Sequence, residues 1–289
     1  MDAAADRETV AILGPGLIGG SIALALRRSC AADQLRIAGF NAFEIDQARR
    51  LQLADVVTDD PPFAVAGAGL VVLCTPPDAM PALARQIAPH LAASTVVTDV
   101  GSVKRWLVAE LTPIFGARYV GAHPMAGSER GGLAAARPDL FDGAICFLTP
   151  GASVDHNARV DAFWRSLGCR VAESTPEAHD EIVARVSHLP HLVAAALLTS
   201  GAKHVGDALK FSGPGLRDTT RLAAGPPELW TGILGHNRDA VALALADLRR
   251  ELERVEAFLA AGRADELREF LESAAGLRRT LPPGARKID

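Results

Sequence analysis

Two kinds of hydrophobic periodicity divide this chain. In the first half, short runs rich in Val, Ile and Leu alternate with segments whose apolar residues recur at helical spacing. Near-continuous apolar strands that alternate with helices form parallel sheets covered on both faces. This half therefore predicts a doubly wound, mostly parallel α/β sheet of the Rossmann type. The predicted strands are residues 9–13, 35–40, 55–58, 70–75, 95–100, 118–122, 145–149 and 169–174.

After about residue 174 the pattern becomes entirely helical. Residues 177–202 and 227–261 carry apolar stripes at helical spacing, and residues 265–277 add a last helix. We therefore expect an all-helical second domain over residues 175–289, following a dinucleotide-binding domain over residues 1–174. The long Ala- and Leu-rich helices carry more apolar surface than a lone bundle of this size needs. Dimerisation through this domain is expected, although the stripes could equally pack against each other.

Composition excludes several functional classes. A chain of 289 residues with 49% hydrophobic residues can bury a sizeable core, and its net charge of −4 comes without long blocks of either sign. Neither a nucleic acid nor an anionic membrane is therefore an expected partner. The first eight residues are polar and acidic, and no apolar stretch reaches membrane-spanning length without interruption, so a cytoplasmic protein is expected. The four widely spaced cysteines indicate buried thiols rather than a disulfide framework.

A glycine-rich turn follows the first strand directly. The string Gly14-Pro-Gly-Leu-Ile-Gly19 opens the helix predicted from Leu17, which is the context that a dinucleotide-binding turn requires. Gly14 permits the tight turn, Gly16 lets the backbone approach a pyrophosphate, and Gly19 lets helix and strand pack closely. The alternative is a glycine-rich turn without a ligand. We favour the dinucleotide, since the helix N-terminus offers N–H groups to phosphates.

The choice of cofactor depends on the end of the second strand. NAD enzymes usually carry an acidic residue there, which holds the ribose hydroxyls, whereas this chain has Asn41. An amide can bind a hydroxyl and does not repel a 2′-phosphate, but no arginine follows at once to bind one. We expect NAD, with NADP tolerated. The expected cofactor-binding residues are Gly14, Gly16, Leu17, Ile18, Gly19, Asn41, Thr75 and Pro76.

Two polar strings follow later strands of the first half. In Asp99-Val-Gly-Ser-Val-Lys104, at the ligand-binding end of the sheet, Ser102 could serve catalysis or could cap a helix beginning at Val103. His123 follows the strand predicted over residues 118–122 and enters a loop. We expect its imidazole to be exposed at the crevice, as a functional histidine would be, rather than placed in the core.

Two further strings belong to the helical half. In Ser187-His-Leu-Pro-His191, Pro190 is expected to kink the helix, and His188 and His191 share a face. No cysteine or carboxylate cluster completes a metal site near them, so no metal is predicted. Arg217 and Arg221 lie in a glycine-rich break before Trp230, where an arginine either clamps a carboxylate or is merely solvated.

Taken in order, these strings resemble the prephenate/arogenate dehydrogenase family of tyrosine biosynthesis. The likeness covers nearly the whole chain and rests on D-x-G-S-x-K, H-P-M-A-G-[ST]-E, S-H-L-P-H and the glycine-rich segment with its Arg and Trp. That combination is far more specific than the glycine-rich turn alone. It implies oxidative decarboxylation of prephenate to 4-hydroxyphenylpyruvate. Hydride passes to NAD(P), carbon dioxide is lost, and the ring becomes aromatic.

The resemblance also implies roles for individual residues. His123 would accept the proton of the substrate hydroxyl, and Ser102 would hydrogen-bond the same hydroxyl near the nicotinamide. Arg221 would bind a substrate carboxylate, the one on the ring. The other matching residues are Ser187 and His191 for the side-chain carboxylate, Trp230 for the pocket wall, and Ser128 and Glu129 for a loop that closes over the site.

Three alternatives stay open. Arogenate, alone or together with prephenate, differs from prephenate only by an amino group in place of a keto group on the side chain. A different two-domain hydroxy-acid or imine reductase would typically use a lysine on the first helix of the second domain, where this chain has His188 and His191 before Lys203. A dinucleotide-binding sensor without chemistry would not need Ser102, His123, His191 and Arg221 together.

Overall fold

An eight-stranded sheet forms the first half of the protein. The structure is a computed structural model and describes residues 8–29, 32–128, 131–204 and 206–281. The strand order is β3-β2-β1-β4-β5-β6-β7-β8, and every pairing is parallel except that of β6 with β7. The predicted fold class is confirmed. The strands are β1 (Thr9–Leu13), β2 (Gln34–Ala38), β3 (Val56–Thr58), β4 (Leu70–Leu73), β5 (Val96–Asp99), β6 (Tyr119–Pro124), β7 (Ile145–Thr149) and β8 (Arg170–Glu173).

Helices cover both faces of this sheet. One core cluster contains Ile22 and Trp164, and the other contains Leu83 and Leu107. Central strands buried on both faces explain why β1 and β4 are nearly uninterrupted apolar runs. The helices of this half are α1 (Leu17–Ser29), α2 (Ala42–Arg50), α3 (Pro61–Val65), α4 (Met80–Ile87), α5 (Arg105–Phe115) and α6 (Val154–Ser166).

The second half is helical, as predicted, but two helices differ from the pattern. Just before Pro190, where a kink is predicted, the chain forms a π turn over Ala184–His188 and resumes as an α-helix at Leu189. Proline has no N–H to donate to the preceding turn, and a wider turn accommodates this. The helix predicted over 227–261 is broken at Asn237. The elements are α7 (Pro176–Val183), the π turn, α8 (Leu189–His204), α9 (Pro214–Thr220), α10 (Pro227–His236), α11 (Arg238–Ala260) and α12 (Ala264–Thr280).

The π turn joins α7 and α8 into one long helical run. By length and composition, Pro176–Lys203 could cross a membrane, with a mean hydropathy of 1.4 over its most apolar 18 residues, of which 28% are buried. The run is nevertheless interrupted by charged residues, among them Asp180 and Arg185. Core helices of soluble proteins have the same length and composition, so this is weak evidence for a membrane span. The same run also places His179 and Asp180 against the nucleotide-binding half, as a core helix would.

Candidate active site

The glycine-rich turn is built to admit a phosphate-bearing ligand. Gly14 has a φ of +108°, and a Cβ there would lie 2.8 Å from the carbonyl oxygen of Cys74. A Cβ at Gly19 would lie 2.1 Å from the carbonyl oxygen of Gly14, so helix α1 could not pack as it does. At Gly16, in contrast, nothing lies within 4 Å of an added Cβ. The space above Gly16, at the N-terminus of α1, therefore fits a pyrophosphate.

The other expected cofactor residues follow β2 and β4, the two strands that pair with β1. Thr75 and Pro76 follow β4, and the backbone nitrogen of Thr75 lies 3.2 Å from the position of a Gly14 Cβ. The Thr75 hydroxyl is buried without a hydrogen-bond partner in the described part of the chain, as expected of a group that binds a ligand. Asn41 follows β2, but its Oδ1 accepts a hydrogen bond of 2.9 Å from the N–H of Glu44 and caps α2.

A buried ion pair lies beneath the turn after β5. Lys104 and Asp99 are both fully buried and form a salt bridge, and Asp99 also accepts a hydrogen bond of 2.7 Å from the Tyr119 hydroxyl. The N–H groups of Gly101 and Ala122 bind the same carboxylate at 2.7 and 3.3 Å. Because every donor comes from β6 or from the turn between β5 and α5, Asp99 fixes the backbone on which Ser102 is carried.

Helix α5 is capped from the opposite half of the protein. Ser102 was expected to be a possible cap, but α5 begins at Arg105 and Ser102 does not cap it. Instead, the Asp180 carboxylate accepts the N–H groups of Lys104 and Arg105 at 2.7 and 3.0 Å. Ser102 is half-buried, just before this capped turn. A long-range cap thus leaves the Ser102 hydroxyl available for another role.

His123 ends a chain of three polar side chains. It lies within β6, opposite Phe147 of β7, and is 7% exposed, which corrects the expectation of an exposed imidazole in a loop. Its Nδ1 lies 2.8 Å from Nε2 of His179, and Nδ1 of His179 lies 2.8 Å from Oδ1 of Asp180. His179 of α7 packs against the ring from 56 residues away along the chain, and a contact of this kind cannot be read from the local sequence.

The direction of hydrogen bonding along this chain follows from the ionisation of its members. Burial opposes ionisation of Asp180, but its bonds from His179, Lys104 and Arg105 prevail and lower the pKa of that carboxyl. As an anion it accepts Nδ1–H of His179, so neutral His179 accepts Nδ1–H of His123. Burial, with smaller effects from His179, Lys104 and His188, holds the pKa of His123 well below its usual value. His123 is therefore neutral, with its lone pair on Nε2.

A second polar cluster lies around Trp230 of α10. The ring of His191 stacks on Trp230 with centroids 3.6 Å apart, and His188 meets the same indole edge-on at 6.2 Å. His191 is 7% exposed, and its Nδ1 is buried without a partner in the described residues. Burial lowers the pKa of His191, so the ring is neutral. No group of three or more His, Cys, Asp or Glu in the described ranges is arranged to hold a metal ion.

The remaining predicted site residues lie at the edge of this cluster. Arg221 is exposed and begins the short helical turn Arg221–Ala224; Gly225, which follows, packs against both Trp230 and His191. A Cβ on Gly225 would lie 2.5 Å from Nε1 of Trp230. Ser187 is half-buried in the π turn, and Ser128 and Arg217 are exposed. Glu129 lies outside the described residues.

Sequence reasoning missed three residues of this region. His179 and Asp180 of α7 orient His123, and Asn237, between α10 and α11, donates to the carbonyl of Asp180 at 2.7 Å. The adjacent His-Asp pair on a predicted helix was a detectable signal. Its partner His123 is 56 residues away along the chain, however, so their contact could not be inferred.

Comparison with known proteins extends over nearly the whole chain. Residues 22–173 match the family description "Prephenate dehydrogenase, nucleotide-binding domain", and residues 175–273 match "Prephenate dehydrogenase, dimerization domain". The prephenate dehydrogenase of Bacillus subtilis is 32% identical, with 96% of this chain and 76% of the relative covered. The cyclohexadienyl dehydrogenase of Zymomonas mobilis is 34% identical, with 94% and 95% covered.

A solved structure shows the same similarity in three dimensions. Prephenate dehydrogenase from Aquifex aeolicus, in complex with hydroxyphenyl propionate and NAD+, superimposes with a TM-score of 0.90. It is 31% identical to this chain, and the match covers 96% of this chain and 99% of the other. The similarity therefore includes both halves and the crevice between them.

Proposed function

Because this chain belongs to the prephenate dehydrogenase family and is an NAD-dependent dehydrogenase, we propose that it oxidatively decarboxylates prephenate to 4-hydroxyphenylpyruvate. The observation that carries the proposal is the chain His123–His179–Asp180, because it holds a neutral, buried imidazole with its lone pair on Nε2. A base of this kind is what removal of a hydroxyl proton near neutral pH requires.

His123 and Ser102 are the proposed catalytic residues. Ser102 binds the ring hydroxyl of the substrate and orients its proton toward Nε2 of His123. As His123 accepts this proton, the positive charge that develops on its ring is stabilised through His179 by the Asp180 carboxylate. The bond from the ring to its carboxylate breaks, carbon dioxide leaves, and the freed electron pair completes the aromatic ring. Aromatisation supplies driving force, so orientation and proton removal are the main demands on the protein.

The cofactor is proposed to bind along the glycine-rich turn. Gly14, Gly16, Leu17, Ile18 and Gly19 would hold the pyrophosphate, with Thr75 and Pro76 beside it and Asn41 at the ribose. When bound, NAD supplies the acceptor for the hydride. Since Oδ1 of Asn41 already accepts from Glu44, its amide N–H groups are proposed to face the ribose.

The substrate carboxylates are proposed to face the helical half. Arg221 would bind one of them, and His191 and Ser187 would bind the side-chain carboxylate, with Trp230 as the wall of the pocket. The unpartnered Nδ1 of His191 and its stacking on Trp230 support a binding role for this edge. Ser128 and Glu129 are proposed to belong to a loop over the site.

Prephenate fits the buried groups better than arogenate does. The ammonium group of arogenate calls for a carboxylate, but both oxygens of Asp99 and of Asp180 already accept hydrogen bonds. Among the described residues, these are the buried aspartates beside Ser102 and His123. A keto group needs only a donor, which the neutral ring of His191 can supply through its N–H.

The activity is tested by the reduced-nicotinamide absorbance that appears when the protein and NAD are mixed with substrate. We expect kcat/KM for prephenate to exceed that for arogenate at least tenfold, and NAD to be used at least as well as NADP. A preference for arogenate would refute the substrate assignment, and a strong preference for NADP would refute the role given to Asn41. The absence of turnover with both substrates would refute the proposed reaction.

Replacement of Arg221 by Ala is expected to raise KM for prephenate at least tenfold while lowering kcat far less. An arginine that binds the substrate and the transition state alike contributes to KM rather than to kcat. Arg217→Ala is the matched control, because Arg217 is also exposed and lies one helical turn earlier. Steady-state kinetics of both variants distinguish the two positions, and a larger KM effect at Arg217 would transfer the role to that residue.

The proposal also covers the domain boundaries, the localisation and the oligomeric state of the protein. The nucleotide-binding domain is proposed to cover residues 1–174 and the substrate-binding and dimerisation domain residues 175–289, in the cytoplasm. A homodimer is supported by the name of the second matching family description and by exposed leucines on the last two helices. A second copy would remove this apolar surface from water. These leucines are Leu243, Leu245, Leu252 and Leu259 on α11, and Leu271 and Leu277 on α12.

A further inference from the structure

Asn237 and His188 form a buried pair that the proposed mechanism leaves without a role. Both side chains are fully buried. Nδ2 of Asn237 lies 2.7 Å from the carbonyl oxygen of Asp180 and 3.2 Å from Nδ1 of His188. A carbonyl oxygen only accepts, so the contact with Asp180 fixes which end of the amide is the nitrogen. That nitrogen carries a second hydrogen, which it donates to His188.

This contact determines the tautomer of His188. Because Nδ1 accepts from Asn237, the neutral ring carries its hydrogen on Nε2. Burial is the main cause that lowers the pKa of His188 to about 4, so the ring is neutral near pH 7. Nε2 is buried and has no partner within standard distance and angle in the described part of the chain. A buried N–H of this kind requires an acceptor.

The turn that carries Ser102 offers such an acceptor to His188. The Ser102 backbone raises the pKa of His188, as a carbonyl oxygen facing the ring does. The Asn237 amide that donates to His188 also donates to the backbone carbonyl of Asp180. The carboxylate of Asp180 in turn accepts the N–H groups of Lys104 and Arg105. The backbone from Ser102 to Arg105 is thus approached at both ends by side chains of the helical half.

We propose that His188 is a positioning residue for Ser102: its Nε2–H, directed by Asn237, donates to the Ser102 carbonyl oxygen and sets where the Ser102 hydroxyl stands. This inference rests on the proposed function, because it assumes that this hydroxyl orients the substrate. His188 does not touch the substrate, so its effect passes through Ser102. The two histidines on one helical face then have separate tasks, His188 toward the turn and His191 toward the pocket.

The test compares two replacements of His188 in the full-length enzyme with saturating NAD. Phe fills the space of the imidazole without a donor, and Gln places an amide N–H near the position of Nε2. We expect His188→Phe to lower kcat for prephenate roughly tenfold or more, since a misplaced reacting group is costly, with the dissociation constant of NAD unchanged. His188→Gln is expected to recover most of that loss. Equal losses in both variants would overturn the proposal.

A double-mutant cycle identifies the residue through which His188 acts. In a Ser102→Ala background, His188→Phe is expected to change kcat less than twofold, because no hydroxyl remains to be positioned. Multiplication of the two single effects would overturn the proposal, since His188 would then act independently of Ser102.

The tautomer of His188 provides a measurement that does not depend on turnover or on the folding of a variant. A long-range ¹⁵N–¹H correlation spectrum of histidine-labelled protein with NAD, assigned by comparison with His188→Gln, is expected to show the hydrogen on Nε2. A hydrogen on Nδ1 would overturn the proposal. Failure of the wild-type protein to oxidise prephenate would refute the proposed function, whereas this spectrum would still decide the pairing of Asn237 with His188.

Discussion

Replacement of His123 by Asn is expected to lower kcat for prephenate by at least ~10²-fold, the range for loss of a general base. The Asn amide can still donate toward Nε2 of His179, so the packing of β6 against α7 is preserved. It has no basic nitrogen to accept the hydroxyl proton. Steady-state kinetics measure the loss, and an unchanged melting temperature together with an unchanged dissociation constant for NAD provides the control. A kcat close to that of the wild type would remove His123 from the proposed role.

The same residue predicts the pH dependence of the reaction. A base must be neutral to accept a proton, and burial holds the pKa of His123 well below its usual 6.5. Activity should therefore persist as the pH falls through 6.5, and the acidic limb of kcat/KM should lie below that value. A profile of kcat/KM from pH 4.5 to 9 tests this, with the melting temperature followed over the same range. An acidic limb at or above pH 6.5 would contradict the environment assigned to His123.

Substitutions in the glycine-rich turn are expected to separate cofactor binding from folding. Gly19→Ala should lower the free energy of unfolding by about 3 kcal/mol, because the added carbon meets the carbonyl oxygen of Gly14, which cannot move away as a side chain would. Gly16→Ala should fold normally, since its added carbon meets nothing within 4 Å. It should nevertheless raise the dissociation constant of NAD at least tenfold, because the methyl group occupies the approach of the pyrophosphate.

Gly16→Ala and Gly19→Ala serve as controls for each other. Denaturant unfolding without NAD should affect only the Gly19 variant, and titration with NAD should show weak binding by the stably folded Gly16 variant. If Gly16→Ala binds NAD as the wild type does, the pyrophosphate does not pass over this glycine. If Gly19→Ala is as stable as the wild type, helix α1 can move away from β1 without cost.

The fold of the nucleotide-binding half was largely predictable, because its signals are local. Two strands, β1 and β7, have the predicted bounds, and the other six begin or end within two residues of them. The helix opened by the glycine-rich turn begins at Leu17, as expected. Strands that are buried on both faces need apolar side chains at every position, and a turn with a positive φ needs glycine. These requirements apply to each residue in place, so they are visible along the chain.

The sequence alone determined the residue types at the site and the ends of the strands that carry them. Tertiary structure decided how they act. Helix α7 places His179 against His123 and brings Asp180 to the start of α5, 75 residues earlier along the chain. Asn237 separates α10 from α11 within a continuous helical pattern, and its amide donates hydrogen bonds to the Asp180 carbonyl and to His188. Hydrogen bonds between segments so far apart do not alter the hydrophobic periodicity of the sequence. The residues that form them are polar and would fit a solvent-exposed position equally well.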